Sequence, residues 1–129
     1  MKYLLDTHIL MWHFEGNEKL SNEIRERILF NSENQVFVSI ISLWEVAIKM
    51  NIGKYNLFGG FSAFYKLVND NEFEIKSINK KHMDFLFELP LIHREPFDRL
   101  LVATAKAEGM TLISADENIK KYDVQWVWL

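Results

Sequence analysis

Asp6 and Asp116 each follow a short apolar run, Lys2-Tyr3-Leu4-Leu5 and Met110-Thr111-Leu112-Ile113-Ser114, and Asp98 falls in the first turn of the helical pattern that leads into the second run. Carboxylate oxygens are the hard ligands that Mg²⁺ and Mn²⁺ prefer, with Mg²⁺ bound at roughly 2.0–2.1 Å in an octahedron that keeps several waters. Two carboxylates about 4 Å apart repel by roughly 4 kcal/mol at an effective dielectric of about 20. A convergent group of them therefore calls for a cation, a proton or a basic side chain as neutraliser. If these acids meet, a divalent metal is the chemistry they imply.

Each acid also has a local explanation. Asp6-Thr7 reads as a cap for a helix that starts after the first apolar run. Glu45 stands three residues after Ser42, the spacing of a Ser-x-x-Glu capping box, and Ser114-x-x-Glu117 repeats that spacing around Asp116. With Glu95 as cap and Pro96 as first helical residue, Asp98 is favoured by the helix dipole alone. Local capping does not explain why the acids that follow strands fall at one edge of the same sheet.

The elements that create that edge follow from periodicity. Gln35-Val36-Phe37-Val38-Ser39 is a β-branched and aromatic run, and Phe73 to Ile78 alternates apolar with polar residues like a half-exposed edge strand. A last strand is expected over Val124 to Leu129. Helical spacing marks Glu23 to Phe30 with Ser21 or Asn22 as cap, Ser42 to Met50 stopping near Gly53, and Phe61 to Val68. It also marks Lys80 to Leu89 closed by Pro90, Phe97 to Glu108 closed by Gly109, and a short helix over Asp116 to Lys121. Strands that alternate with helices predict right-handed crossovers and a mainly parallel sheet covered on both faces. Ligands in such sheets sit beyond the carboxyl ends of the strands.

At 129 residues the expectation is one domain over 1–129, and 49% apolar with 26% charged residues is a globular composition. The chain has no Cys, which excludes a disulfide framework, a thiolate zinc site and a cysteine nucleophile, and points weakly to a cytoplasmic setting. No apolar run has the length of a membrane span, and the early charge at Asp6 argues against a signal peptide. The net charge of −3 counts against a pure nucleic-acid-binding module, although bound divalent cations reverse the sign of an acidic site locally.

The motifs Leu4-Leu5-Asp6-Thr7-His8, Ser42-Leu43-Trp44-Glu45-Val46, His93-Arg94-Glu95-Pro96-Phe97-Asp98-Arg99-Leu100-Leu101 and Ile113-Ser114-Ala115-Asp116, in that order, resemble a PIN-domain protein. The likeness is greatest to VapC-like toxins of type II toxin–antitoxin pairs and spans essentially the whole chain. It implies a three-layer α/β PIN-like fold with a central mainly parallel sheet of about five strands and helices on both faces. It further implies an Mg²⁺- or Mn²⁺-dependent endoribonuclease, an RNA substrate, a cognate antitoxin protein and a homodimer.

Position by position, Asp6, Glu45, Asp98 and Asp116 match the family's acidic quartet, and Thr7 and Ser114 match its supporting hydroxyls. Asp6 and Asp98 are then the principal metal ligands, with Glu45 and Asp116 completing the shell. Arg94, Arg99, Lys49 and Lys54 are candidates for holding the RNA backbone, against a plain solvated reading of each. Glu95 departs from the Asp-Pro-Phe-Asp common in this subgroup.

Other chemistries fit less well. His8, His13, His82 and His93 form no i, i+4 pair and have no Cys beside them, so zinc is disfavoured, and nothing in the spacing places two of them together for metal-free acid–base cleavage. A phosphatase built on an aspartyl phosphate wants a second Asp two positions after the first, where this chain has His8. A non-catalytic PIN-like scaffold has no need of all four acids. Trp12, Trp44 and Trp126 read mainly as core, with stacking on bases or on a partner helix as the alternative.

Overall fold

A computed structural model describes all residues 1–129. Five strands, β1 (Lys2–Leu5), β2 (Gln35–Ser39), β3 (Glu74–Lys76), β4 (Thr111–Ile113) and β5 (Trp126–Val127), form one all-parallel sheet in the order β3-β2-β1-β4-β5. The helices are α1 (Thr7–Glu15), α2 (Asn22–Ile24), α3 (Ile40–Asn51), α4 (Gly60–Asp70), α5 (Lys80–Glu88) and α6 (Pro96–Glu108).

Register explains the three layers. Leu4 aligns with Phe37 on one side and Leu112 on the other, and these three enter a core with Leu101, Val102 and Ala105 of α6. Their neighbours Leu5, Val36, Val38 and Ile113 point to the opposite face, as the period of two requires, and pack with Ile9, Leu10, Ile24, Leu43, Val46, Phe64 and Val68 from α1 to α4. The expected sandwich of helices on both faces of a parallel sheet is the one found.

Several element boundaries differ from the sequence reading. α3 begins at Ile40, capped by Ser39, whose Oγ accepts from the Ile41 N–H at 3.0 Å. Ser42 is therefore interior to the helix, and the Ser42/Glu45 capping box does not form. The Glu23–Phe30 helix starts at Asn22 under a Ser21 cap and widens over Arg25–Leu29 into a π-helical turn, closed by Phe30 N–H to Arg25 C=O at 2.8 Å. At the far edge only Trp126 and Val127 of the expected last strand pair, since an edge strand has one neighbour and Trp128 turns instead toward Trp12. Asp116 starts no helix: its Oδ1 accepts from the Asn118 N–H at 2.8 Å, and only one 3₁₀ turn, Ile119–Lys121, follows.

Ser39 is fully buried at the β2–α3 junction. Ser39→Ala is expected to cost about 1 kcal/mol, within a range of roughly 0.5–2 for a lost N-cap. A lowered urea midpoint with unchanged slope is the measurement that checks it.

Candidate active site at the carboxyl edge of the sheet

Strand order reverses at β1, with β2 and β3 laid down on one side and β4 and β5 on the other. The crevice beyond β1 and β4 is thus the switch point at which open α/β sheets bind ligands. Asp6 lies there as the N-cap of α1, its Oδ1 accepting from the His8 N–H at 3.1 Å. Asp116 stands after β4, and Ser114 ties the two together. The Ser114 hydroxyl donates to Asp6 Oδ2 at 2.7 Å and accepts from the Asp116 N–H at 3.0 Å. With that oxygen committed to a partner 108 residues away, no Ser114/Glu117 capping box forms.

Asp98 reaches the crevice from the first turn of α6. Glu95 caps that helix, its Oε1 accepting from the Phe97 N–H at 3.3 Å, and Pro96 fills the first helical position. The residue that departs from the family pattern is thus occupied in capping. His93 stands between two of the acids, with Nε2 at 2.9 Å from Asp98 Oδ2 and 3.2 Å from Asp116 Oδ2. Its Nδ1 accepts from the Glu95 N–H at 3.3 Å, which leaves Nε2 as the donor toward the carboxylates. The three ligand-type atoms of His93, Asp98 and Asp116 all lie within 4.8 Å of one another.

Glu45 enters from the middle of α3. One oxygen, Oε2, meets Lys49 Nζ at 3.1 Å, while Oε1 is buried with no partner. An edge-to-face contact between Trp44 and Phe97, centroids 5.2 Å apart, joins α3 to the start of α6 beside Asp98.

Electrostatics record the crowding. Burial is the main cause that pushes the Asp98 carboxyl up to about 7, followed by the charge of Asp6, with Glu45 and Asp116 adding to it and His93 opposing it. Asp6 is raised as well, by burial first and by Asp116, against the lowering pull of the Ser114 and His8 contacts. A buried carboxylate oxygen without a partner, two acids raised by burial and by neighbouring carboxylates, and an almost all-oxygen donor set fit a divalent cation of the Mg²⁺ or Mn²⁺ type.

The other sequence candidates are placed differently. Thr7 donates to Ser42 Oγ at 2.8 Å, so it ties α1 to α3 rather than touching a carboxylate. Lys49 is spent on Glu45. Arg99 turns its guanidinium to the Leu89 carbonyl at 3.4 Å, which makes it a brace of the α5–α6 connection. Arg94 and Lys54 are exposed and pair with nothing. His93 is a site residue that histidine spacing alone does not mark; its signal is its place, five residues before Asp98 in a motif rich in charge.

The PIN-domain family model matches residues 3–125, nearly the full length. The chain belongs to the PIN-domain family. PIN domains are generally nucleases, and this one shares its fold with chains of solved toxin–antitoxin complexes. These include VapBC2 from Rickettsia felis bound to a DNA fragment of its promoter, at 19% identity and TM-score 0.77, covering 98% of each chain. DNA-bound VapBC from Salmonella typhimurium follows at 15% identity and TM-score 0.73, covering 98% of this chain and 97% of that one. FitAcB from Neisseria gonorrhoeae stands at 17% and 0.69, covering 98% and 96%. No curated sequence matches this PIN domain.

Proposed function

We propose that this PIN domain is a metal-dependent endoribonuclease and the toxin of a toxin–antitoxin pair. The observation that carries the reading is the convergence of buried Asp6, Asp98 and Glu45 with half-buried Asp116 at the switch point, where burial and neighbouring charge raise Asp98 to about 7 and raise Asp6 as well. In this reading Asp6 and Asp98 hold the principal ion, Glu45 supplies its unpartnered oxygen, and Asp116 completes the shell. A bound Mg²⁺ or Mn²⁺ supplies Lewis-acid activation of water and compensates charge on the phosphate. Ser114 orients two of the acids, and Lys49 holds Glu45 by one oxygen and leaves the other without a partner.

The test is incubation of the purified chain with structured RNAs in Mg²⁺, in Mn²⁺ and in EDTA. Cleavage in either metal and none in EDTA is expected; cleavage that survives EDTA would overturn the reading. Ser114→Ala is expected to weaken Mn²⁺ binding about 10- to 100-fold, the usual cost of a lost hydrogen bond behind a metal ligand. Calorimetric titration with Mn²⁺ checks it, and unchanged affinity removes Ser114 from the site.

An antitoxin partner is inferred from the likeness to the toxin–antitoxin complexes. The homodimer has support in α3 and its C-cap, where Ile40, Trp44, Ile48 and Ile52 recur every four residues and are all exposed. Sedimentation of the purified chain is expected to give a dimer, and Ile48→Glu a monomer.

A further inference from the structure

Beside the acids lies a second feature that the metal reading does not use. A cleft of about 230 Å³ is lined by Asp6, His8, Ile9, Trp12, Ala115 and Asp116. One wall is the pair of carboxylates that follow β1 and β4. The other is one face of α1, where His8 and Trp12 stand a helical turn apart with ring centroids 6.2 Å from each other. The indole of Trp12 is half-buried, flanked by Trp128 at 6.1 Å, and Lys19 Nζ lies 5.5 Å from its centroid without a carboxylate partner. Farther out, Lys120 stands 4.9 Å from the exposed ring of Trp126.

An aromatic ring set across a narrow cleft from an acidic metal-type site has a chemical meaning if the ligand is a nucleotide. A phosphodiester held at the acids carries its nucleoside with it, and the base needs an apolar face to lie on. Stacking on an aromatic side chain accepts any base, because every base presents a π-face, and nearby cations track the backbone. Lys19, with its Nζ over one face of the Trp12 ring and no carboxylate partner, supplies positive charge beside the cleft for the strand.

We propose that the Trp12 cleft is a nucleobase subsite that receives the unpaired base next to the phosphate at the acids. The proposal rests on the nuclease reading and adds to it the side chains that take the base adjoining that phosphate, since a base enters such a cleft only out of its stack. His8 and Trp12 form the stacking wall, and Lys19 faces the backbone beyond it.

The test uses the full chain carrying Asp98→Asn, so that RNA stays intact, and reads the dissociation constant by fluorescence anisotropy. The probes are a uridine decamer, a base-free ribose-phosphate decamer and an RNA duplex. Trp12→Leu is expected to weaken binding of the uridine decamer about tenfold, the scale of one lost stack, and Trp12→Phe to keep most of it. The base-free decamer should bind more weakly than uridine and be indifferent to Trp12→Leu, and the duplex should bind more weakly than the single strand.

Equal losses for the two decamers would make Trp12 a packing residue and overturn the subsite, as would unchanged affinity for uridine or equal binding of the duplex. If Trp12→Leu does not fold, indole quenching by the uridine decamer, present in the Asp98→Asn chain and lost in Trp12→Phe, decides the matter; quenching that persists overturns it. Metal-dependent cleavage that proceeds without any dependence on Trp12 would sink this inference alone, whereas no cleavage in any metal sinks the nuclease reading itself.

Discussion

Asp98→Asn is expected to make the metal-free chain more stable and to abolish its cleavage activity. In the folded chain Asp98 is buried, and burial together with Asp6, Glu45 and Asp116 raises its carboxyl to about 7. Above that value the group is ionised at a cost, because its neighbours carry the same charge. Asparagine has nearly the same shape, removes the charge and still offers a carbonyl oxygen to the His93 Nε2 donor. In EDTA at pH 8 the melting temperature of the variant should therefore rise by several degrees, with roughly 3–5 °C per kcal/mol for a chain of this size. Activity should fall by about 10³-fold, the upper scale for losing one transition-state stabilising interaction, here through the ion that Asp98 would hold. The alternative makes the opposite prediction: if His93 and Asp98 were only a structural ion pair, breaking it would lower the melting temperature. Asp6→Asn is expected to behave in the same direction, since asparagine caps a helix as well as aspartate does.

The parts of the candidate site that are visible in the sequence are those that periodicity and helix-start signals encode. Asp6 and Asp116 were legible because strand ends in a parallel sheet share one edge, and that rule needs only periodicity and topology. Asp98 was legible because Glu95-Pro96 marks a helix start. The capping boxes that the spacing allows at Ser42/Glu45 and Ser114/Glu117 do not form, for one shared reason. Both hydroxyls are bonded to partners 35 and 108 residues away, Thr7 and Asp6, and a local motif cannot compete with a buried long-range hydrogen bond that the fold supplies. The partnering of Glu45 with Lys49 and the insertion of His93 between two acids are tertiary facts, as is the cleft that places Trp12 opposite Asp116. No spacing in the chain encodes them.

Manganese is expected to stabilise the chain far more at pH 7.5 than at pH 5.5. A carboxyl whose folded value is raised to about 7 from an ordinary 3.8 keeps in the folded state a proton that the unfolded chain has already released. Between those values the folded state binds more protons than the unfolded one, so the stability of the metal-free chain falls as pH rises, by up to about 1.4 kcal/mol per unit for one such group. Asp6, also raised, acts in the same direction. His13 acts oppositely: burial lowers its value, so its contribution is present at neutral pH and is lost as pH falls below its ordinary 6.5. The divalent ion binds the deprotonated carboxylates and must displace those protons at pH 5.5, whereas at pH 7.5 it meets charges that are already present and unfavourable. The shift in melting temperature on adding Mn²⁺, measured against EDTA at the two pH values, separates these contributions, because His13 is common to both samples at each pH. In the Asp98→Asn chain the metal-free profile should flatten between pH 5.5 and 7.5, and the Mn²⁺ shift should shrink at both. Equal Mn²⁺ shifts at the two pH values in the unsubstituted chain would mean that the raised carboxyls are not the ones that meet the ion.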